Sequence, residues 1–336
     1  MKGRLLIVCL FFSLLAVAQE EKVQWLTLAE AEKQNKVSPR PLIIDFYTDW
    51  CGWCKHMDKT TYENPVVISF INKYFYPVKV NAESADTMFF RNKVYAPIKN
   101  RDRYVSSLAV EILQGKLSYP TTVFLSDKDN INLVVPGYLD IPKMEAFLIY
   151  FSENAYTTTD VNDFITDFEE VFKPEEKTED KKGVEPYWIA FSELDSLRKK
   201  ENKKTLLYLS ASWSNSAKIM DKCVFPDSTF AALAKKYFYC LHLDAQSSDK
   251  ITFMGHEFAN AGSDNSNLHQ LAIALSDKVL RVPSVYIFDE EGKMMERIYF
   301  YLDRQKGSMI LDFLGSNTYR DMSWTDFVKV KSKEGF

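Results

Sequence analysis

Tyr47-Thr48-Asp49-Trp50-Cys51-Gly52-Trp53-Cys54-Lys55 sets two thiols three residues apart, directly after the apolar run Pro41-Leu-Ile-Ile-Asp-Phe-Tyr47. The run reads as a buried strand and Lys55-His-Met-Asp-Lys59 opens a helical pattern, so Cys51 is expected at a helix N-terminus. Unsatisfied N–H groups and the positive end of the helix dipole favour a thiolate there. Cys54, one turn later, lies within reach of the same partner sulfur. The spacing therefore reads as a reversible dithiol/disulfide switch in which Cys51 attacks and Cys54 resolves. The same spacing is half of a zinc site, but no second Cys-x-x-Cys or Cys-x-x-His follows and His56 stands alone nearby. His242, His256 and His269 are widely and irregularly spaced, so no metal is expected.

Trp50-Cys51-Gly52-Trp53-Cys54-Lys55 resembles the Trp-Cys-Gly-x-Cys-Lys active site of the thioredoxin superfamily. The resemblance extends past the cysteines. Asp45 falls where that family keeps a buried acid that takes the proton of the second cysteine, and Lys79 falls at the acid's lysine partner. Tyr119-Pro120-Thr121, ahead of the apolar run Val123-Phe-Leu125, is similar to the family's cis-proline loop, whose backbone pairs with extended substrate. The resemblance thus implies catalytic roles for Cys51, Cys54, Asp45 and Lys79, and substrate contacts by Trp50, Gly52, Trp53, Tyr119, Pro120 and Thr121. The apolar neighbours of Asp45 argue for burial, which raises a carboxyl pKa. The longer stretch Asp45 to Tyr62 is similar to the periplasmic C-terminal domain of the thiol reductase DsbD and to secreted Bacteroidetes thioredoxin-like proteins, which implies a reductase. Trp53 departs from the proline of thioredoxin itself. Potentials in the superfamily run from about −270 mV to about −120 mV, so the fold leaves the direction of electron flow open.

The chain repeats itself. Trp213 lies 163 residues after Trp50, and at that one offset Lys73-Tyr-Phe-Tyr76 meets Lys236-Tyr-Phe-Tyr239, Met57-Asp58-Lys59 meets Met220-Asp221-Lys222, Trp25 meets Trp188, Pro120 meets Pro283 and Asp163-Phe164 meets Asp326-Phe327. The fold class expected is α/β, with two tandem thioredoxin-like domains, each a central mixed sheet flanked by helices with an inserted helical segment before the cis-proline loop. In the second copy Cys51 and Cys54 become Ser214 and Ala217, Asp45 becomes Tyr208 and Lys79 becomes His242, so dithiol exchange is lost there. Val282-Pro283-Ser284 keeps the loop proline. The second copy is read as a docking module or as a degenerate copy kept for stability or spacing. Cys223 and Cys240 stand in it as a structural disulfide between the first helix and the next strand, or as two buried free thiols; bridging needs Cα atoms within about 7 Å.

Lys2 and Arg4, the apolar Leu5 to Val17 and Ala16-Val17-Ala18 read as a secretory signal peptide over residues 1–18, short of the roughly 20 residues of a bilayer span. The expected layout is 19–172 for the domain with the cysteines, a charged linker at 173–186, and 187–336 for the degenerate domain. A net charge of −4 carries no basic footprint for nucleic acid, and 46% hydrophobic content means a folded chain. In the insertion, roughly Ser84 to Ser118, Phe89, Tyr95 and Leu108 are expected as helix-core packing, in preference to an apolar lid from Met88-Phe89-Phe90 and Tyr95.

Together these features imply an exported, periplasmic thiol-disulfide oxidoreductase that reduces protein disulfides, needs no cofactor and is recycled by a membrane or soluble thiol donor. Its partners are disulfide-containing exported proteins, without nucleic acid and without stable membrane insertion after cleavage of the leader. An isomerase or oxidase using the same cysteines, and a binding module with a passive disulfide, are the alternatives.

Overall fold

The computed structural model describes residues 22–126, 131–172, 187–260, 267–276 and 280–334. The expected leader at 1–18 and the charged run at 173–186 lie outside the described residues. The chain divides into two compact units, 1–136 and 137–336.

The first unit runs α1 (Leu28–Val37), β1 (Leu42–Tyr47), α2 (Gly52–Thr60), α3 (Pro65–Tyr74), β2 (Tyr76–Asn81), β3 (Met88–Phe90), β4 (Lys93–Tyr95), β5 (Pro97–Asn100), β6 (Arg103–Ser106), α4 (Ser107–Ile112), β7 (Thr121–Ser126) and β8 (Ile131–Pro136). Local chemistry starts the helices. Thr27 and Glu30 form a capping box on α1, and Asn64 caps α3 with Pro65 in its first turn. The main sheet has the order β2-β1-β7-β8. β1 is central, parallel to β2 and antiparallel to β7, and is apolar along almost its whole length because neighbours cover it on both edges and both faces. This pairing sets Asp45 opposite Lys79 on one side and Thr122 on the other.

The insertion differs from the expected helical segment. Two small antiparallel hairpins, β3–β4 and β5–β6, precede the short helix α4. Tyr95 and Leu108 join the core as expected, but Phe89 is 62% exposed. The cause is the two-residue period of a strand: Phe90 turns inward and Phe89 must turn out.

The second unit begins with α5 (Ile141–Ser152) and α6 (Val161–Phe172), followed by α7 (Leu194–Lys200), β9 (Lys204–Ser210), α8 (Asn215–Ile219), a π-helical turn at Met220–Val224, α9 (Ser228–Tyr237), β10 (Phe238–Asp244), β11 (Ile251–Phe253), β12 (His256–Phe258), α10 (Gln270–Leu275), β13 (Ser284–Phe288), β14 (Met294–Tyr299), α11 (Arg304–Gly315) and α12 (Trp324–Glu334). Its sheet order, β10-β9-β13-β14, repeats that of the first unit. The offset of 163 read from the sequence carries α3 onto α9, β8 onto β14 and α5 onto α11, residue for residue. In this repeat the inserted segment is the hairpin β11–β12 and α10.

Helices α5 and α6, which the expected layout places with Cys51 and Cys54, fall within residues 137–336, and their polar ends make contacts there. Glu153, capping α5, binds the start of α8, and Asp167 of α6 meets Tyr301 and Arg304. Helix α11 crosses α9 so closely that a Cβ on Gly315 would lie 2.6 Å from the Tyr237 ring and one on Gly307 2.9 Å from Phe230.

Candidate active site

The chain leaves β1 at Tyr47 and turns into α2 through Thr48-Asp49-Trp50, with Cys51 as the N-cap. The Cys54 N–H donates to Cys51 Sγ at 3.1 Å, as a hydroxyl would be used at this position. Cys51 and Cys54 are joined in a disulfide with Cα atoms 5.3 Å apart. Both residues are buried, while Trp50 and Trp53 on either side are 61% and 62% exposed. An added Cβ at Gly52 would meet nothing within 4 Å, so the helix start is open to an approaching chain. Trp50 Nε1 donates to Glu83 at 2.9 Å, and its ring stands edge-on to Tyr119 at 6.3 Å. The Tyr119–Pro120 bond is cis, and Thr121 Oγ1 donates to the Ser118 carbonyl at 2.7 Å, closing the turn into β7. The loop at 119–121 is thereby brought beside Trp50.

Asp45 is buried in the middle of β1. Loss of water around it pushes its pKa up to about 7 from 3.8, against the pull of Lys79, whose Nζ lies 3.6 Å from Oδ2. The lysine is shared: it also ion-pairs with Asp58 of α2 and lies over the rings of Trp25, Tyr47 and Tyr62 at 5.1, 5.3 and 5.8 Å. Asp45 Oδ1 is buried and accepts no hydrogen bond, so one carboxylate oxygen is available for a proton. Asp58 and Glu83 were not singled out by the sequence reading. Asp58 lies four residues after Cys54, one helical turn along the same face, which was the signal to follow.

Residues 28–152 match the family model described as a thioredoxin-like domain. The first repeat is a thioredoxin-like domain. Among solved structures, the chain is similar to a thioredoxin-fold protein from Helicobacter pylori (17% identity, 40% of this chain and 81% of that one, TM-score 0.29). It is also similar to a putative disulphide-isomerase from Bacteroides thetaiotaomicron (22%, 39% and 93%, TM-score 0.28). A third is the DsbD C-terminal domain from Neisseria meningitidis in its reduced form (14%, 36% and 90%, TM-score 0.26). No curated protein matches the chain.

The second repeat has the same thioredoxin-like strand order with other groups at the corresponding points. Ser214 is the N-cap of α8, and its Oγ accepts from Ala217 N at 3.1 Å. Glu153 occupies this helix start: its carboxylate accepts from Ser214 Oγ at 2.9 Å, Asn215 N at 3.1 Å and Ser216 N at 3.0 Å. Tyr208, in place of Asp45, donates to the Ala217 carbonyl at 3.3 Å and stacks on His242, which replaces Lys79. The Val282–Pro283 bond is also cis.

Cys223 and Cys240 are both free and buried, so of the two expected arrangements the structure holds free thiols and not a disulfide. They serve different surroundings. Cys223 donates to the Asp167 carbonyl at 3.7 Å, and burial pushes its thiol up to about 12; Cys240 points from β10 into the sheet packing, where burial raises its pKa as well. Neither is suited to form a thiolate. Asp167, Glu170 and Cys223 come close enough together to suggest a metal, but the Arg304 guanidinium already bridges the two carboxylates. Among the described residues no helix is long and apolar enough to cross a membrane.

Proposed function

We propose that the protein is an exported thiol-disulfide oxidoreductase that reduces disulfides of other exported proteins through Cys51 and Cys54. The observation that carries the reading is the Cys51–Cys54 disulfide at the start of α2, set between exposed tryptophans and beside the cis-proline loop. In this reading the Cys51 thiolate attacks one sulfur of a partner disulfide, forming a mixed disulfide and expelling the other partner sulfur as a thiolate. Cys54 then loses its proton to the Asp45 carboxylate and attacks Cys51 Sγ. The partner leaves with both sulfurs reduced, and the protein ends as its own disulfide. A thiol donor returns the two electrons.

Asp45 favours the reducing direction within this scheme. A base with pKa about 7 is half ionised at neutral pH and serves the second step, which a reductant must complete and an isomerase can omit. Lys79, shared between Asp45 and Asp58, acts to hold the carboxyl from rising further. Trp50, Gly52, Trp53 and Tyr119-Pro120-Thr121 form the proposed partner contact, residues 19–172 the proposed working domain, and 1–18 the leader removed on export.

The test is capture. A Cys54→Ser variant exported from its own cell accumulates mixed disulfides through Cys51, resolved by reduction and mass spectrometry. If nothing is captured by this variant that is not also captured by the Cys51→Ser, Cys54→Ser double variant, the reading is overturned.

A further inference from the structure

The hairpin β5–β6 stands next to Trp50. Glu83 accepts from Trp50 Nε1 through one carboxylate oxygen and faces Arg103 at 3.9 Å through the other. The hairpin pairs Ile98 with Val105 and Lys99 with Tyr104 across a turn at Arg101-Asp102, and Lys99 Nζ lies 5.9 Å from the centre of the Tyr104 ring. Ile98 is 47% exposed and Tyr104 37%, and the side chains of Lys99, Arg101 and Arg103 are exposed too. Apolar and aromatic groups left in water beside three cations have the composition of a recognition surface.

The duplication supplies an internal control. At the offset of 163, Ile98-Lys-Asn-Arg-Asp-Arg-Tyr-Val105 corresponds to Ala261-Gly-Ser-Asp-Asn-Ser-Asn-Leu268. The base of the hairpin is kept, since Pro97 pairs with Ser106 and, at the equivalent positions, Asn260 bridges to His269. Pairing at that base therefore does not require Ile98, Tyr104 or the cations. In the second repeat, which has Ser214 and Ala217 in place of Cys51 and Cys54, all of them are gone, and the formal charge of the eight residues changes from +2, three cations and Asp102, to −1, Asp264 alone. A basic patch on a chain of net charge −4 is placed against the overall charge, beside the disulfide.

We propose that β5–β6 is the docking surface for the disulfide partner of Cys51, and that it takes an acidic polypeptide segment carrying an aromatic or aliphatic side chain. The proposal rests on the dithiol exchange of the preceding section. Carboxylates of the segment pair with Lys99, Arg101 and Arg103 and steer it in, while its apolar side chain covers Ile98 and Tyr104 on the way to Trp50.

The test separates docking from chemistry. Two labelled peptides are made, one with Asp and Glu around a Phe and one with Lys in place of the acids, both with Ser where a cysteine would stand. Their binding to the oxidised full-length mature protein is read by fluorescence anisotropy. The acidic peptide is expected to bind about tenfold tighter than the basic one, an advantage of about 1.4 kcal/mol, and to lose that advantage in Lys99→Glu, Arg101→Glu and at high salt. A Tyr104→Ser variant is expected to weaken it at any salt. Equal affinities, or an acidic preference that survives charge reversal, overturn the proposal. Turnover of oxidised glutathione by the same preparations reports the exchange itself. Lost turnover with an intact peptide preference overturns the exchange and leaves the docking surface; intact turnover without the preference does the reverse.

Discussion

The starts of α2 and α8 are one structure used twice. Each follows a central strand, each is capped by the side chain of its first residue, and the capping distances agree at 3.1 Å for Cys51 Sγ and for Ser214 Oγ. What differs is the partner of the positive helix end. At Cys51 it faces a sulfur that can become a thiolate, whereas at Ser214 it is taken up by the Glu153 carboxylate through three hydrogen bonds. The backbone supplies an anion site in both repeats, and the side chains decide whether it serves chemistry or cohesion. The strand beneath follows suit: a buried carboxyl with pKa about 7 in one repeat, a stack of Tyr208 and His242 in the other.

The comparison breaks most completely at the sulfurs. Cys51→Ser is expected to lower dithiol turnover to the uncatalysed background, whereas Ser214→Ala leaves turnover at the wild-type rate, both read with a small disulfide substrate. Equal losses would erase the distinction between the repeats.

Asp45 provides the next largest effect. Its folded pKa is raised, so the folded state holds a proton that the unfolded chain gives up between pH 3.8 and about 7, and stability falls as pH rises through that window. Replacing it by Asn removes the penalty. The advantage of Asp45→Asn over wild type, from denaturant titrations, is expected to be greater at pH 8 than at pH 4 by about 4 kcal/mol. The same variant is expected to release a trapped partner more slowly at pH 7. A pH-independent difference would show that Asp45 is not the titrating group.

At the other helix start, Glu153→Ala leaves three part-buried donors without their acceptor and is expected to cost about 2 kcal/mol, measured by thermal unfolding. In a Ser214→Cys background the carboxylate acts as a like charge on the new thiolate, so adding Glu153→Gln is expected to lower that thiol's pKa by about one unit, read by alkylation rate against pH. A comparable effect sharpens the same contrast in the helices. Gly315, at the place of Ser152 in the first repeat, is pressed against Tyr237, so Gly315→Ala is expected to cost about 2 kcal/mol of stability.

Much of this was legible in the sequence because it is local. A buried strand, a Cys-x-x-Cys and a helix follow one another within twenty residues, and the register of 163 transfers that reading to the second repeat without adjustment. The insertion was less legible. Strands of three or four residues offer too little periodicity to count, so Phe89, Tyr95 and Leu108 read as one helical face when they lie on a hairpin and a separate helix. The contact between Glu153 and the start of α8 was hidden for another reason: the bond from Ser214 to Glu153 spans 61 residues and joins an N-cap to a C-cap, each of which is satisfied on its own by local rules. Cys223 and Cys240 could not be assigned from spacing, since pairing depends on where their Cβ atoms point.

The central claim, that Cys51 and Cys54 work as a reducing dithiol, is tested most directly by their equilibrium reduction potential. It is measured in the mature chain with Cys223 and Cys240 replaced, against a graded dithiothreitol or glutathione series. A value near the −270 mV of thioredoxin, within about 30 mV, is the result predicted. A value near −120 mV, where the reduced form is the stable one, would make the site an oxidant and contradict the account.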